Sequence, residues 1–210
     1  MKPNIQVLTH SSIRIEDNGK VVYFDPFEVK KEYKDADLIL VTHAHHDHFS
    51  PDDIRKVAKP DTLLVYPETM KDKVKEESGL PAAQAAVLPG TRTEAAGCPL
   101  EVIPAYNIGK LFHPKKAGGV GYVLQLPEES VYVAGDTDIT EENRKVRCDV
   151  ALVPAGGTYT MTAAQAAELV NAIKPKKAIP THYGSVVGKP KDGIAFRELV
   201  EPGIEVEIQI

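Results

Sequence analysis

Four histidines and one aspartate fall within the six residues His43-Ala44-His45-His46-Asp47-His48, directly after Thr42 and the apolar run Leu38-Ile39-Leu40-Val41. Neutral imidazoles and carboxylates are the donors that suit zinc, iron or manganese. The preceding run is short and rich in branched side chains, which predicts a buried strand ending in a polar loop. In an extended segment His43 and His45 point to the same side, because successive side chains alternate. The turn that follows would aim Asp47 and His48 at a neighbouring position, so one loop could serve two metals a few Å apart. A terminal histidine tag would not sit behind a core strand and carry an aspartate. His46 alternates away from His45 and is expected to line the pocket or contact a ligand residue.

The rest of the chain bounds what such a site could serve. Its 210 residues suit one domain, taken as 1–210, with an ordinary share of apolar and charged residues for a globular protein. A net charge of -5 offers no basic footprint for a nucleic-acid backbone. Cys98 and Cys148 have no partners at ribbon or redox spacing, and so read as buried thiols. Polar residues interrupt the first eighteen positions, and no apolar stretch approaches the ~20 residues of a membrane span. A cytoplasmic setting without membrane contact is the expectation.

Several elements must position the loop. Ile5-Val7, Ile13-Ile15 and Val21-Phe24 read as strands, the last two joined by a turn at Asp17-Asn18-Gly19-Lys20. Ser50-Pro51-Asp52-Asp53 opens a helix, with Ser50 as cap and Pro51 in the first turn. Thr62–Tyr66 is predicted as a strand and 68–77 as a short helix. Val102–Ala105, Tyr122–Leu126, Val131–Ala134, Val150–Val153, Ala178–Pro180 and an alternating stretch from Ile204 to Ile208 complete the strands. Thr162 and Gln165 form a capping box for a helix reaching about Lys174. The order of parts appears twice: Lys20–Asp25 is echoed by Ser130–Asp136, and Ala36–Val41 by Cys148–Val153. The repetition implies two similar sheet-plus-helix halves stacked face to face. Asp25, the histidine loop, Asp136, Gly156-Gly157-Thr158 and His182 would then converge along one edge.

His43-Ala44-His45-His46-Asp47-His48, Asp25-Pro26-Phe27, Gly135-Asp136-Thr137 and Pro180-Thr181-His182-Tyr183 together resemble the metallo-β-lactamase superfamily, whose mark is H-x-H-x-D-H after a strand. Gly156-Gly157-Thr158-Tyr159-Thr160-Met161 adds a likeness to the compact metal-dependent hydrolases related to ascorbate-6-phosphate lactonase. The resemblance implies an αββα sandwich of two mixed sheets flanked by helices. It implies that His43 and His45 bind one metal, that Asp47, His48 and His182 bind a second, and that Asp136 bridges them. For the third histidine of the first metal, Tyr106 and Asn107 occupy the nearest position after a strand, and neither is a good substitute. His113 lies a few residues on and is the expected ligand. Asp25 would hold a ligand imidazole in its tautomer. His10, Tyr159 and Tyr183 are candidates for the pocket rim, substrate contact or packing.

Two divalent ions, zinc before manganese or iron, would carry four positive charges against three from Asp47, Asp136 and a bridging hydroxide. Coordination lowers the pKa of water toward ~7 and so supplies a nucleophile. Asp47 is the candidate catalytic residue, orienting that hydroxide or carrying its proton. The expected function is hydrolysis of a small ester, lactone or phosphoester, with a small-molecule substrate as partner and a homo-oligomer left open. The alternatives are a nuclease or phosphodiesterase acting on RNA or cyclic nucleotides, and a non-catalytic metal- or ligand-binding protein. A di-iron redox protein is a further one, but that branch replaces the second histidine with glutamate, and His45 argues against it.

Overall fold

The computed structural model describes residues 2–210, which fold into two packed sheets with helices on both outer faces. The first sheet contains β1 (Asn4–Thr9), β2 (Ser12–Asp17), β3 (Lys20–Phe24), β4 (Ala36–Leu40), β5 (Ala58–Pro67) and β6 (Ala83–Val87), in that order across the sheet. The second contains β7 (Arg92–Ala95), β8 (Cys98–Pro104), β9 (Val120–Gln125), β10 (Ser130–Val133), β11 (Val150–Pro154), β12 (Lys177–Thr181) and β13 (Glu205–Val206). Antiparallel pairing at the start of each sheet gives way to parallel pairing, at β3–β4 in the first and at β10–β11 in the second. The echo read from the sequence is thus a structural repeat. It extends to a matching strap: Asp37 accepts from the Val21 backbone N–H, and Asp149 from that of Ser130.

Side-chain alternation builds three apolar layers from these strands. Leu38 and Leu40 point between the sheets, where they meet Tyr122, Leu124, Val131 and Leu152. Ile39 and Val41 point outward onto α1 (Pro51–Val57) and α2 (Lys71–Glu76), against Ile54, Val57 and Val74. Tyr132, Ala151 and Val153 likewise face α3 (Ala163–Ile173) and α4 (Pro190–Leu199), against Leu169, Val170 and Phe196. At roughly 1.5–3 kcal/mol for each large side chain removed from water, these layers are the main stabilising term.

The caps follow the local sequence. Ser50 Oγ accepts from Asp53 N, and the Thr162–Gln165 box closes in both directions. Asn18 and Gly19 take φ of 48° and 81°, as a two-residue hairpin turn requires. Some boundaries differ from the sequence reading. The segment 68–77 divides into a 3₁₀ turn, Glu68–Met70, and α2. The last strand shrinks to Glu205–Val206, since only one side of it is paired. Among the described residues, no helix is long and apolar enough to cross a membrane.

Candidate metal centre

All seven histidines of the chain gather where the ends of the two sheets meet. Three anchors fix the histidine loop as it leaves β4. Val41 N donates to Val65 O, Tyr122 Oη donates to Val41 O, and Val120 N donates to Thr42 O. The loop is therefore tied to both sheets. His48 N and Phe49 N both donate to His45 O, which curls the chain so that Asp47 and His48 turn back toward His43. The buried Phe49 ring plugs the turn into the layer under α1.

Two clusters of donors result. His43, His45, His113 and Asp136 form one, and His10, Asp47, His48 and His182 the other; within each, the ligand atoms lie within 4.8 Å of one another. Asp136 stands between them. Its Oδ2 is 3.2 Å from His113 Nε2, while its Oδ1 is 3.3 Å from His48 Nε2. Oδ2 also lies 3.1 Å from His182 Nε2. His113 Nε2 and His43 Nε2 approach His45 Nδ1 at 2.9 and 3.0 Å.

Hydrogen bonds at the far ring nitrogens fix the tautomers. Asp25 Oδ2 accepts from His48 Nδ1 at 2.7 Å, and Tyr159 O accepts from His113 Nδ1 at 3.2 Å. Thr42 Oγ1 donates to Asp25 Oδ2 at 2.7 Å and so can accept from His43 Nδ1 at 3.0 Å. Each proton is thereby kept away from the centre, and each Nε2 lone pair faces inward, as metal ligation needs. Buried His48 Nε2, His182 Nε2 and Asp136 Oδ1 make no hydrogen bond among the described residues. Buried polar atoms without partners cost free energy unless something else satisfies them, and a divalent cation fits this donor set.

The charges point the same way. Burial would raise the Asp136 pKa, but His182 and His48 outweigh it and hold the carboxyl well below its usual range. Burial would also raise Asp47, yet the neighbouring His10, His182 and His48 depress it strongly. Burial, followed by the neighbouring His48, keeps His43 neutral; burial also lowers His45 and His113. Burial works against the proton on His182, but Asp136 raises its pKa to about 9. Burial likewise opposes the proton on His48, but Asp136 and Asp25 raise its pKa well above the usual imidazole range. The ionised carboxylates thus draw positive charge to this centre, which a divalent cation can supply in place of those protons. Four residues here, His10, Asp25, His113 and His182, adopt left-handed φ of 44–57°. Such backbone is unfavourable for residues other than glycine and persists only where surrounding contacts enforce it.

His43, His45, Asp47, His48, His113, Asp136 and His182 all lie together, and Asp25 grips His48 from behind. Asn107 does not replace His113 but supports it: its Nδ2 donates to Phe112 O and Tyr159 O. Tyr106 faces away, with its hydroxyl on Glu142. His46 is 82% exposed at the side chain and lines the pocket rim. Tyr159 also lines the pocket. Tyr183 does not: it is fully buried in the layer under α3 and α4, with its hydroxyl donating to Ile210 O. The expectation that it could touch substrate is therefore corrected. It follows His182 in the chain, and with His182 aimed at the donor clusters Tyr183 turns into the core. His10 was read as a rim or core residue, and the structure brings it into contact with Asp47. Thr42, whose hydroxyl beside the histidine motif carries no spacing signal of its own, joins the site by linking Asp25 to His43.

The sandwich and its paired donor clusters define the class: an αββα fold with a candidate two-metal edge. The chain belongs to the beta-lactamase superfamily, whose domain matches residues 4–182. It is 32% identical to a UPF0173 metal-dependent hydrolase of Methanopyrus kandleri, over 97% of this chain and 94% of that one. A UPF0173 metal-dependent hydrolase of Thermus thermophilus is 30% identical, over 96% and 93%. Among solved structures, a Parabacteroides distasonis protein assigned as a metal-dependent hydrolase superimposes with a TM-score of 0.82 at 29% identity, covering 98% of this chain and 92% of that one.

Proposed function

We infer that this chain, a metal-dependent hydrolase of the superfamily, uses two divalent ions to hydrolyse a small ester or lactone. The carrying observation is that the Asp136 carboxylate stands between the two donor clusters, its Oδ2 3.2 Å from His113 Nε2 and 3.1 Å from His182 Nε2 and its Oδ1 3.3 Å from His48 Nε2, with Asp47 beside the second cluster. His43, His45, His113 and Asp136 would hold the first ion, and Asp47, His48, His182 and Asp136 the second. Zinc suits this nitrogen-and-oxygen set, and manganese or iron could occupy it. Ions held there would make water nucleophilic at neutral pH and polarise a scissile carbonyl.

The side chains do the rest. Asp47, ionised and fixed by its neighbours, orients the attacking water and accepts its proton. Asp136 keeps both clusters in register. Two cavities of about 250 and 310 Å³ open on this centre and share His45, Phe112, His113 and Asp136. Leu111, Ala117 and Phe112 wall the first, and Val186, Val187 and Tyr159 the second. Neither cavity is lined by lysine or arginine; of the lysines nearby, Lys73 is held by Ala44 O, Lys110 by Asp138 and Lys115 by Glu142. Walls of this kind favour an uncharged group beside the carbonyl over a phosphate held by side chains.

The test is a panel of lactones, aliphatic esters, phosphodiesters and single-stranded RNA, run on zinc- and manganese-loaded protein. Preferential turnover of lactones or esters is expected. Preferential turnover of phosphodiesters or RNA would replace the substrate class, and metal uptake without any turnover would favour a binding protein.

A further inference from the structure

His10 sits in the turn between β1 and β2, far in sequence from the histidine loop and outside the ligand set that the superfamily resemblance implies. Its side chain is fully buried, and its ring packs 4.0 Å from that of His182. Its Nε2 is 3.2 Å from Asp47 Oδ2, the oxygen that also faces His48 Nε2 at 3.6 Å and His182 Nε2 at 3.7 Å. We propose that His10 is a direct ligand of the second metal, giving that site three imidazoles besides Asp47 and Asp136. The inference rests on the two-metal reading above.

Three observations carry it. The separations from Asp47 Oδ2, 3.2, 3.6 and 3.7 Å, are close to those of neighbouring donors around one five-coordinate ion, since bonds of ~2.0–2.1 Å then put adjacent ligand atoms roughly 2.9–3.6 Å apart. Next, the other ring nitrogen has its own partner: His10 Nδ1 lies 3.3 Å from Ser185 Oγ. Ser185 Oγ can accept there, as oxygens do at Nδ1 of His43, His48 and His113, each of which turns Nε2 inward. With its proton on Nδ1, His10 would face a carboxylate oxygen lone pair to lone pair, which repels unless a cation lies between them. Finally, the backbone is committed to this placement. His10 holds φ at 48°, and its carbonyl accepts from His182 N at 3.0 Å, so one β-turn of the first sheet is tied to a candidate ligand of the second. A left-handed histidine is costly, and its persistence fits a functional constraint.

The competing role is that His10 donates Nε2–H to Asp47 and merely positions it. His10→Gln separates the two, because its amide can donate to Asp47 but is a poor replacement for an imidazole donor. Chelator-stripped wild type, His10→Ala and His10→Gln are titrated with Co(II) and followed by visible absorption, elemental analysis and circular dichroism. Two equivalents are expected in the wild type. In both variants the second equivalent should weaken at least ~10-fold and its absorption bands shift, with the first unchanged. Should His10→Ala fail to fold, His10→Gln decides alone, since it fills similar volume. Wild-type titration and spectra in His10→Gln would overturn ligation by His10. A wild type binding one equivalent would overturn the two-metal reading itself.

Discussion

Replacing Asp25 by asparagine removes one charge and changes almost no volume, yet the hydrogen bonds around it leave the amide no good orientation. Asp25 Oδ1 accepts from Thr42 N at 2.8 Å, while Oδ2 accepts from Thr42 Oγ1 and His48 Nδ1, both at 2.7 Å. With Nδ2 placed at the Oδ2 position, the amide meets the His48 Nδ1 proton. Relief requires His48 to move that proton to Nε2, the atom 3.3 Å from Asp136 Oδ1 and the one needed for the metal. With the amide flipped, Nδ2 faces the Thr42 N–H and strands a buried backbone donor, at about 1–3 kcal/mol. Either way the second metal site loses. Its affinity should fall 10- to 100-fold, the range for residues that orient a ligand, equivalent to about 1.4–2.7 kcal/mol. The metal-free protein should melt roughly 2–12 °C lower, at the ~2–4 °C per kcal/mol of a chain this size. Competition with a chromophoric chelator reads the two affinities, and calorimetry reads the melting. Unchanged second-site affinity together with unchanged melting would refute the tautomer reasoning.

Asp47→Asn keeps the side chain's size but loses its charge and proton acceptor. Turnover of the best substrate should fall ~10²-fold or more with the first metal retained, and normal kcat with both metals bound would remove Asp47 from the mechanism. His113→Ala should lose the first metal selectively, and two metals with full activity in that variant would contradict its place as ligand. Phe112→Ala strips a ring shared by both cavities; for an ester with an aliphatic acyl chain, KM should rise about 10-fold, as ~1.4 kcal/mol of lost burial implies, with kcat within about twofold. A KM unchanged across the acyl series would show that the apolar walls do not contact substrate.

Much of the fold was legible because strong periodicity and caps recur in both halves. Leu38–Val41 and Val150–Val153 are continuous apolar runs, and buried parallel strands read that way. β6 was not legible: Ala83-Gln84-Ala85-Ala86-Val87 has little β-branching, and it forms at the sheet edge because β5 offers it a ladder. Helix α4 escaped notice because Gly193 and alternating charges blur its period; it is held by Phe196 packing inward and by Pro190 at its start. At the site, the motif residues announce themselves by spacing within a single loop. His10, Thr42, Asn107 and the Val186-Val187 wall do not, because their roles depend on contacts between segments distant in the chain. His113 was reachable by elimination among the histidines, and its left-handed φ and the Asn107 staple appear only in three dimensions.

The central claim is that two ions act together across Asp136. Chelator-stripped protein, titrated with zinc in fractional equivalents, can be followed at once for bound metal by elemental analysis and for hydrolysis of the best ester or lactone. Uptake should reach two ions per chain, and activity should appear with the second equivalent rather than the first. Full activity at one equivalent, with no further change as a second binds, would contradict the claim.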